Sequence, residues 1–379
     1  MYLKKIIILL ILFLQTMLVA AQHLKIDKIE WSVYTQLPNA EGTTNQYGLA
    51  GAISGLCNDY LLVMGGANFQ DKMPWEGGVK KYYSEIYIIK HQQSKWLNKA
   101  FSLPKNLAYS ASVSTPIGVV CIGGENENGL SKSIFIINYN EKNQSTSIVE
   151  LADLPYPIAN AAATLVANIV YLAGGETASG TSNSFMSLDL SNKSNTWKIL
   201  PSLPQPTSHT VLLSKGKRIF LAGGRSKDER GISDIYNTLY EYDTKWKLKC
   251  ALPYALSAGT GLVINPNSLV LFGGDKGETF HKVELLLAAI KDEKDASKKQ
   301  ELIEEKTRTQ SSHPGFSKEV LVYNINTNKW GTINSIPFDV PVTTLALQYQ
   351  NEIIIPSGEI RAGVRTPNIL MGKINIMKK

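Results

Sequence analysis

Six residues along this chain share one local setting. Ala67, Glu125, Glu176, Arg225, Asp275 and Glu359 each directly follow a small-residue doublet that closes a short apolar run. Five of the six are ionisable. If the settings are equivalent places in a repeat, these side chains converge. Converging carboxylates around a guanidinium can take and return protons and can hold an anion. Other chemistries lack their residues. The five histidines, at 23, 91, 209, 281 and 313, form no ligand pair at short spacing, and Cys57, Cys121 and Cys250 have no metal-ligand spacing. The sequence contains no nucleophile elbow, zinc motif or phosphate loop. What remains is carboxylate and guanidinium chemistry that calls for no metal and no cofactor.

The elements that must position these residues are legible in the same runs. The doublets are Gly65-Gly66, Gly123-Gly124, Gly174-Gly175, Gly223-Gly224, Gly273-Gly274 and Ser357-Gly358, at steps of 58, 51, 49, 50 and 84 residues. A period near 50 residues is that of kelch-type propellers. Each doublet is followed by a turn region, a strand, an aromatic-led strand and an apolar-Pro stop. The stops end at Pro38, Pro104, Pro155, Pro204, Pro253 and Pro337. Tryptophans 31, 96, 197, 246 and 330 precede five of them. Short β-branched and aromatic runs bounded by turn residues give four antiparallel strands per repeat. The expected fold is therefore all-β: one six-bladed kelch-type propeller over 22–379.

The two ends do not meet at a blade boundary. The chain opens on an outermost-type strand at 28–33 and closes on a third-strand type at 368–376, so these two should pair and close the ring. Closure leaves no open sheet edge between first and last blades. The long last step carries an insertion, predicted as two helices over about 279–313. In a four-stranded antiparallel blade, the loops after the doublet strand and after the Pro stop emerge on one face. The long post-doublet segments 67–84, 225–235, 275–318 and 359–367 make that the expected site face.

Composition excludes little else. The chain has 379 residues, 44% of them apolar and 19% charged, with a net charge of +7. This excess is mild, and no basic cluster is interleaved with aromatics, which argues against nucleic acid as a partner. Lys4 and Lys5, the apolar stretch 6–19 and Val19-Ala20-Ala21 read as a cleavable leader over 1–21. The apolar stretch is shorter than the ~20 residues a spanning helix needs. The mature chain is then expected to begin at Gln22 and to be exported, with no membrane association after cleavage. The three cysteines read as buried free thiols.

The segment Ser357-Gly358-Glu359-Ile360-Arg361-Ala362-Gly363-Val364-Arg365-Thr366 resembles the Gly-Glu-x-x-x-Gly-x-Arg-Thr motif of the bacterial sialic acid mutarotases, the N-acetylneuraminate epimerases. Two further stretches are similar to that family: Gly65-Gly66-Ala67-Asn68-Phe69 with the segment 76–84, and the charged insertion followed by Asn326-Thr327-Asn328-Lys329-Trp330. The resemblance covers the mature chain in rotated order, as in a cyclically permuted branch. It implies a periplasmic six-bladed propeller acting on an acidic sugar. It assigns the essential carboxylate to Glu359 and substrate binding to Arg365, with Arg361 as the alternative anion binder. Asn68, Glu125, Glu176 and Arg225 complete the expected substrate-binding set. Two other readings remain open: a kelch glycan-binding protein without catalysis, and a mutarotase for another sugar.

Overall fold

The computed structural model describes residues 25–39, 45–93, 95–192, 196–264 and 267–377. The leader expected over 1–21 lies outside them. Six antiparallel sheets form the blades. Blade 1 holds Ile53–Cys57, Tyr60–Met64 and Ile86–Lys90, and blade 2 holds Ala111–Thr115, Gly118–Ile122, Ile134–Asn140 and Ser145–Leu151. Blade 3 comprises Ala162–Val166, Ile169–Ala173, Phe185–Asp189 and Lys198–Ile199; blade 4 comprises Val211–Lys215, Arg218–Ala222, Leu239–Tyr242 and Trp246–Leu248. Blade 5 contains Thr260–Ile264, Ser268–Phe272, Glu319–Asn324 and Lys329–Ser335.

Blade 6 is built from both chain ends. Leu347–Tyr349, Glu352–Arg361 and Val364–Met377 are joined at the outer edge by Lys25–Gln36. Ile29 faces Ile374, and Ser32 faces Met371. The expected closure is therefore present. Blade 1 differs in detail: among the described residues its sheet has three strands. Its fourth strand is reduced to a bridge between Ile89 and Trp96, with another between Glu85 and Ser102. Trp96 turns its indole N–H away to the Gln36 carbonyl, 2.7 Å distant, and so ties blade 1 to the end of the closing strand.

The second strand of each blade is the most apolar because neighbouring blades cover both its faces. Gly118–Ile122 and Ser268–Phe272 are buried throughout. The core divides into six apolar clusters, one at each blade interface. The doublets set how closely the blades dock. A Cβ on Gly174 would lie 1.9 Å from the Thr207 carbonyl oxygen, so only glycine fits. The next N–H, that of Gly175, donates to the same oxygen at 2.8 Å. Gly66, Gly124 and Gly224 make the equivalent bonds to Leu107, Ile158 and Leu256.

The sixth doublet departs from this pattern. Ser357 adopts a left-handed φ of 49° and is fully buried. Its hydroxyl accepts from the Leu49 N–H at 2.9 Å and donates to the Thr366 carbonyl at 2.7 Å. A side-chain latch thus joins blade 6 to the segment entering blade 1.

The insertion forms two helices, α1 (Glu278–Asp292) and α2 (Ala296–Ser311). Asp295 caps α2 by accepting from the Lys298 N–H at 2.9 Å. Buried Glu284 of α1 accepts from the Ser233 N–H and hydroxyl at 2.7 and 2.8 Å, anchoring the insertion to the blade 4 hairpin. α2 packs near the short 3₁₀ turn Pro74–Glu76 of the blade 1 loop. Cys57 and Cys121 are buried free thiols as expected, but Cys250 is exposed because it lies in the loop after the outer strand of blade 4. Among the described residues no helix is long and apolar enough to cross a membrane.

Removing the Ser357 hydroxyl should loosen the closing seam. Ser357→Ala leaves the buried Leu49 N–H without its acceptor, at an expected cost of about 1–3 kcal/mol. Urea unfolding of the two proteins measures it, and equal midpoints with equal slopes would show that the latch carries no stability.

Candidate active site

Two backbone features hold the channel mouth. In every blade the residue after the doublet exchanges a reciprocal pair of backbone hydrogen bonds with a residue from the inner loop. The pairs are Ala67 with Ala50, Glu125 with Ala108, Glu176 with Ala159, Arg225 with Ser208, Asp275 with Ser257 and Glu359 with Val342. The residue following each inner partner belongs to a second device. Gly51, Tyr109, Asn160, His209, Ala258 and Thr343 all have φ between 52° and 62°. Each N–H donates to the carbonyl of its counterpart in the preceding blade, at 2.8–3.3 Å, and Gly51 closes the circle on Thr343. The result is a closed belt of six hydrogen bonds around the channel.

The belt separates two spaces. One is a mainly apolar passage of about 130 Å³ walled by the innermost strands. The other is a polar cavity of about 270 Å³ on the site face, at the small end of ligand pockets. Its walls carry Glu125, Glu176, Arg225, Asp275 and Glu359 with the belt residues Tyr109, Asn160 and His209. Five of the six post-doublet positions thus face one cavity. At the sixth, Ala67 is buried, and Lys80 from the same loop supplies the charge on that side. Phe280 of α1 and Phe316 cover the wall below the insertion. The insertion therefore lies on the site face.

The site residues fall into three groups. Glu359 and Arg365 face each other in the blade 6 hairpin. Glu359 Oε2 lies 3.2 Å from Arg365 Nη2, and Oε1 accepts from the Gly363 N–H at 2.9 Å. The Arg365 side chain is only 4% exposed and stacks on Phe69 at 4.7 Å. Its Nε and Nη1 are buried without a well-formed hydrogen bond among the described residues, although Arg365 acts on the buried Tyr109 phenol.

The second group joins blades 3 and 4. Glu176 accepts from Asn160 Nδ2 at 3.0 Å and from the Ser208 hydroxyl at 3.3 Å. Arg225 Nη2 lies 3.4 Å from His209 Nε2 and 3.9 Å from Glu176, with its guanidinium 4.4 Å over the Phe280 ring. An arginine has only donors, so His209 Nε2 is assigned as the acceptor and Nδ1 carries the proton toward Ser208. Burial, then Arg225 and Lys227, push the imidazole well below its usual range. The 3.6 Å approach of His209 to Glu176 is accordingly a contact of a neutral ring, not an ion pair. Burial also lowers Arg225, against the opposing pull of Glu176, Glu284, Asp275 and Glu359.

The third group lies between blades 1 and 2. Glu125 Oε1 accepts from Lys80 Nζ at 3.1 Å and from the Tyr82 hydroxyl at 2.7 Å. Lys80 also sits 4.9 Å over the Tyr109 ring. Burial alone would lower the Lys80 ammonium, but Tyr109, Glu125 and Tyr82 together raise it. Burial and Glu125 push the Tyr82 phenol up to about 12, against the lowering effect of Lys80.

Three expected site residues are absent from the lining of the polar cavity: Asn68, Arg361 and Arg365, the last paired with Glu359, which does line it. Asn68 is buried, donates to the Gly48 carbonyl at 3.0 Å and accepts from the Tyr83 hydroxyl at 2.7 Å. Its amide is spent on the scaffold, away from the polar cavity. Arg361 is exposed beside the hairpin turn and lines none of that cavity. Sequence reasoning missed Lys80, Tyr109, Asn160, His209 and Phe280. The belt residues had a signal: Tyr109, Asn160, His209 and Ala258 each fall five residues after a Pro stop. Among the described residues, no group of three or more His, Cys, Asp or Glu side chains is placed to hold a metal ion.

Fold and site together define a six-bladed propeller with a charge-lined, sugar-sized cavity at one end of its channel. The profile of a family described as N-acetylneuraminate epimerase matches residues 12–146 and 151–378, and the chain belongs to that family. Curated relatives named N-acetylneuraminate epimerase are similar over shorter stretches. That of Vibrio vulnificus is 38% identical over 130 residues, 32% of this chain and 33% of its own length. That of Brucella melitensis is 32% identical over 122 residues, 30% and 31% of the two chains. The chain thus spans about a third of the length of these relatives. A solved structure titled "Structure of YjhT" superposes with a TM-score of 0.62, covering 91% of this chain and all of that one at 15% identity. That likeness shows the shared fold.

The neutral His209 makes stability acid-sensitive. Its folded-state value is depressed, so the unfolded chain takes up this proton first as pH falls below 6.5. Stability contributed by the neutral ring is complete above that value and is lost on acidification. In His209→Gln, the fall in urea midpoint between pH 7 and pH 5 should be shallower than in the wild type. Parallel pH profiles would contradict a buried neutral imidazole.

Proposed function

We propose that this protein interconverts the α and β anomers of N-acetylneuraminate, with Glu359 as general base and Arg365 as the anchor for the sugar carboxylate. The observation that carries the reading is the Glu359–Arg365 pair, 3.2 Å apart in a chain of the epimerase family. This sugar is a cyclic 2-keto acid, so its carboxylate and anomeric hydroxyl share one carbon. A base and a guanidinium fixed side by side match that pair of groups. Glu359 takes the anomeric hydroxyl proton as the ring opens and returns it when the ring closes on the other carbonyl face. Arg365 Nη2 faces Glu359, while the buried Nε and Nη1 are donors on separate edges of the guanidinium without a well-formed hydrogen bond among the described residues. A substrate carboxylate would supply an acceptor that these donors lack. A sugar without the acid would leave both donors unpaired, which favours an acidic substrate.

Proton NMR of anomer exchange on the purified protein tests this. Glu359→Gln keeps size and one acceptor but removes the base, and should cut exchange by about 10²-fold or more while the sugar still binds. Exchange at the wild-type rate would end the mechanism. A wild-type protein that binds the sugar without accelerating exchange would establish a glycan-binding role instead. Arg365→Lys keeps the charge and loses the planar guanidinium, so affinity for the acid should fall more than folding stability. Unchanged affinity would move the anchor to another cation.

We also read the chain as exported to the periplasm through the leader over 1–21, on its Lys, apolar and small-residue order. Mass spectrometry of exported protein should find Gln22 first, and an intact Met1 would refute it.

A further inference from the structure

Anomer exchange needs a second group. Breaking the bond between the anomeric carbon and the ring oxygen leaves an alkoxide that must be protonated. We propose that Asp275, the neighbour of Glu359 around the channel mouth, donates that proton; this rests on the mutarotase reading above. Asp275 and Glu359 occupy equivalent post-doublet places in adjacent blades, each clamped by its own backbone pair, to Ser257 and to Val342. Both line the same polar cavity. The other two carboxyls of the mouth are committed: Glu125 to Lys80 and Tyr82, Glu176 to Asn160, Ser208 and Arg225. Asp275 forms no ion pair among the described residues. Its Oδ1 accepts from the Gly277 N–H at 2.8 Å, so Oδ2 is the oxygen left for a ligand.

The surroundings shift the Asp275 carboxyl upward, chiefly through burial. Glu284 of α1 adds to this. The Gly277 N–H, His313 beyond α2 and Arg225 of blade 4 work against it. Glu359 faces the same space from blade 6. A pair of carboxyls serving one as base and one as acid is the pattern such chemistry requires.

The step balances. The anomeric O–H proton goes to Glu359, and its electron pair forms the C2 carbonyl. The electron pair of the C2–ring-oxygen bond goes to the ring oxygen, which takes the Asp275 proton. After rotation about C2–C3, closure runs in reverse and restores both groups.

Asp275→Asn tests the assignment, because an amide oxygen still accepts from Gly277 but the side chain has no acid proton. Anomer exchange is followed by proton NMR across pH, and binding by titration with the methyl α-glycoside of N-acetylneuraminate, which cannot open. The wild-type kcat should fall as pH rises through the Asp275 titration. In the variant kcat should drop by about 10²-fold, this alkaline limb should vanish, and glycoside affinity should stay within a few-fold. Wild-type kcat in the variant overturns the proposal. So does a slow variant that retains the alkaline limb, or one that loses glycoside binding along with rate. A wild-type protein showing no exchange at all overturns the mutarotase reading itself, which distinguishes the two failures.

Discussion

Everything at the site face hangs on the belt of six backbone hydrogen bonds through Gly51, Tyr109, Asn160, His209, Ala258 and Thr343. Each member adopts the left-handed conformation, which glycine tolerates and other residues adopt only at a cost. Five of the six are not glycine, so five blades carry that cost. What offsets it is the closed circle, because each bond fixes one blade's angle to the next and the last fixes the first. The adjoining reciprocal pairs then set the post-doublet side chains at one height around the axis. Catalytic geometry tolerates errors of roughly half an ångström, and a cavity walled by six separate blades could not hold that without such a frame.

The same frame explains what could and could not be read from the chain. The doublets announce themselves because close docking demands glycine there, as the Thr207 carbonyl against Gly174 shows. That fixed the blade number, the closing strand and the converging ring of charges. The belt was less legible because its constraint falls on backbone conformation. Tyrosine, asparagine, histidine, alanine and threonine all satisfy it at equivalent places, so no residue type repeats. Asn68 misled for the opposite reason. A polar residue two places after a doublet suggests a ligand contact, yet Gly48 and Tyr83 saturate its amide inside the loop. The weak outer strand of blade 1 was hidden because Trp96 fits the repeated tryptophan pattern while its indole serves a neighbouring segment.

Ser357 shows how a repeat can absorb an exception at the seam. Here the chain ends meet inside blade 6, and only the outer strand Lys25–Gln36 leads on to blade 1. Blades 1 to 4 use a glycine N–H to reach the next carbonyl. The seam instead uses a hydroxyl that bonds Leu49 and Thr366 together. Thr366 directly follows Arg365, so the latch and the hairpin bearing the Glu359–Arg365 pair are one continuous piece of structure.

That coupling bears on how a charged cavity is tolerated. Arg225 and Arg365 are both largely withdrawn from water, and an unpaired buried cation is expensive. Each has one carboxylate at hand, Glu176 and Glu359, and each lays its guanidinium on an aromatic face, Phe280 and Phe69. The aromatic faces come from the insertion and the blade 1 loop, the two elements that pack together through α2 and the 3₁₀ turn at Pro74–Glu76. Covering those cations therefore requires the loops to come together over the mouth. Each arginine also keeps a buried nitrogen without a well-formed hydrogen bond among the described residues, Nε in Arg225 and Nε with Nη1 in Arg365. Part of the desolvation cost is thus left unmatched by the protein's own groups, and an anionic ligand that supplied the missing acceptors would gain affinity from it.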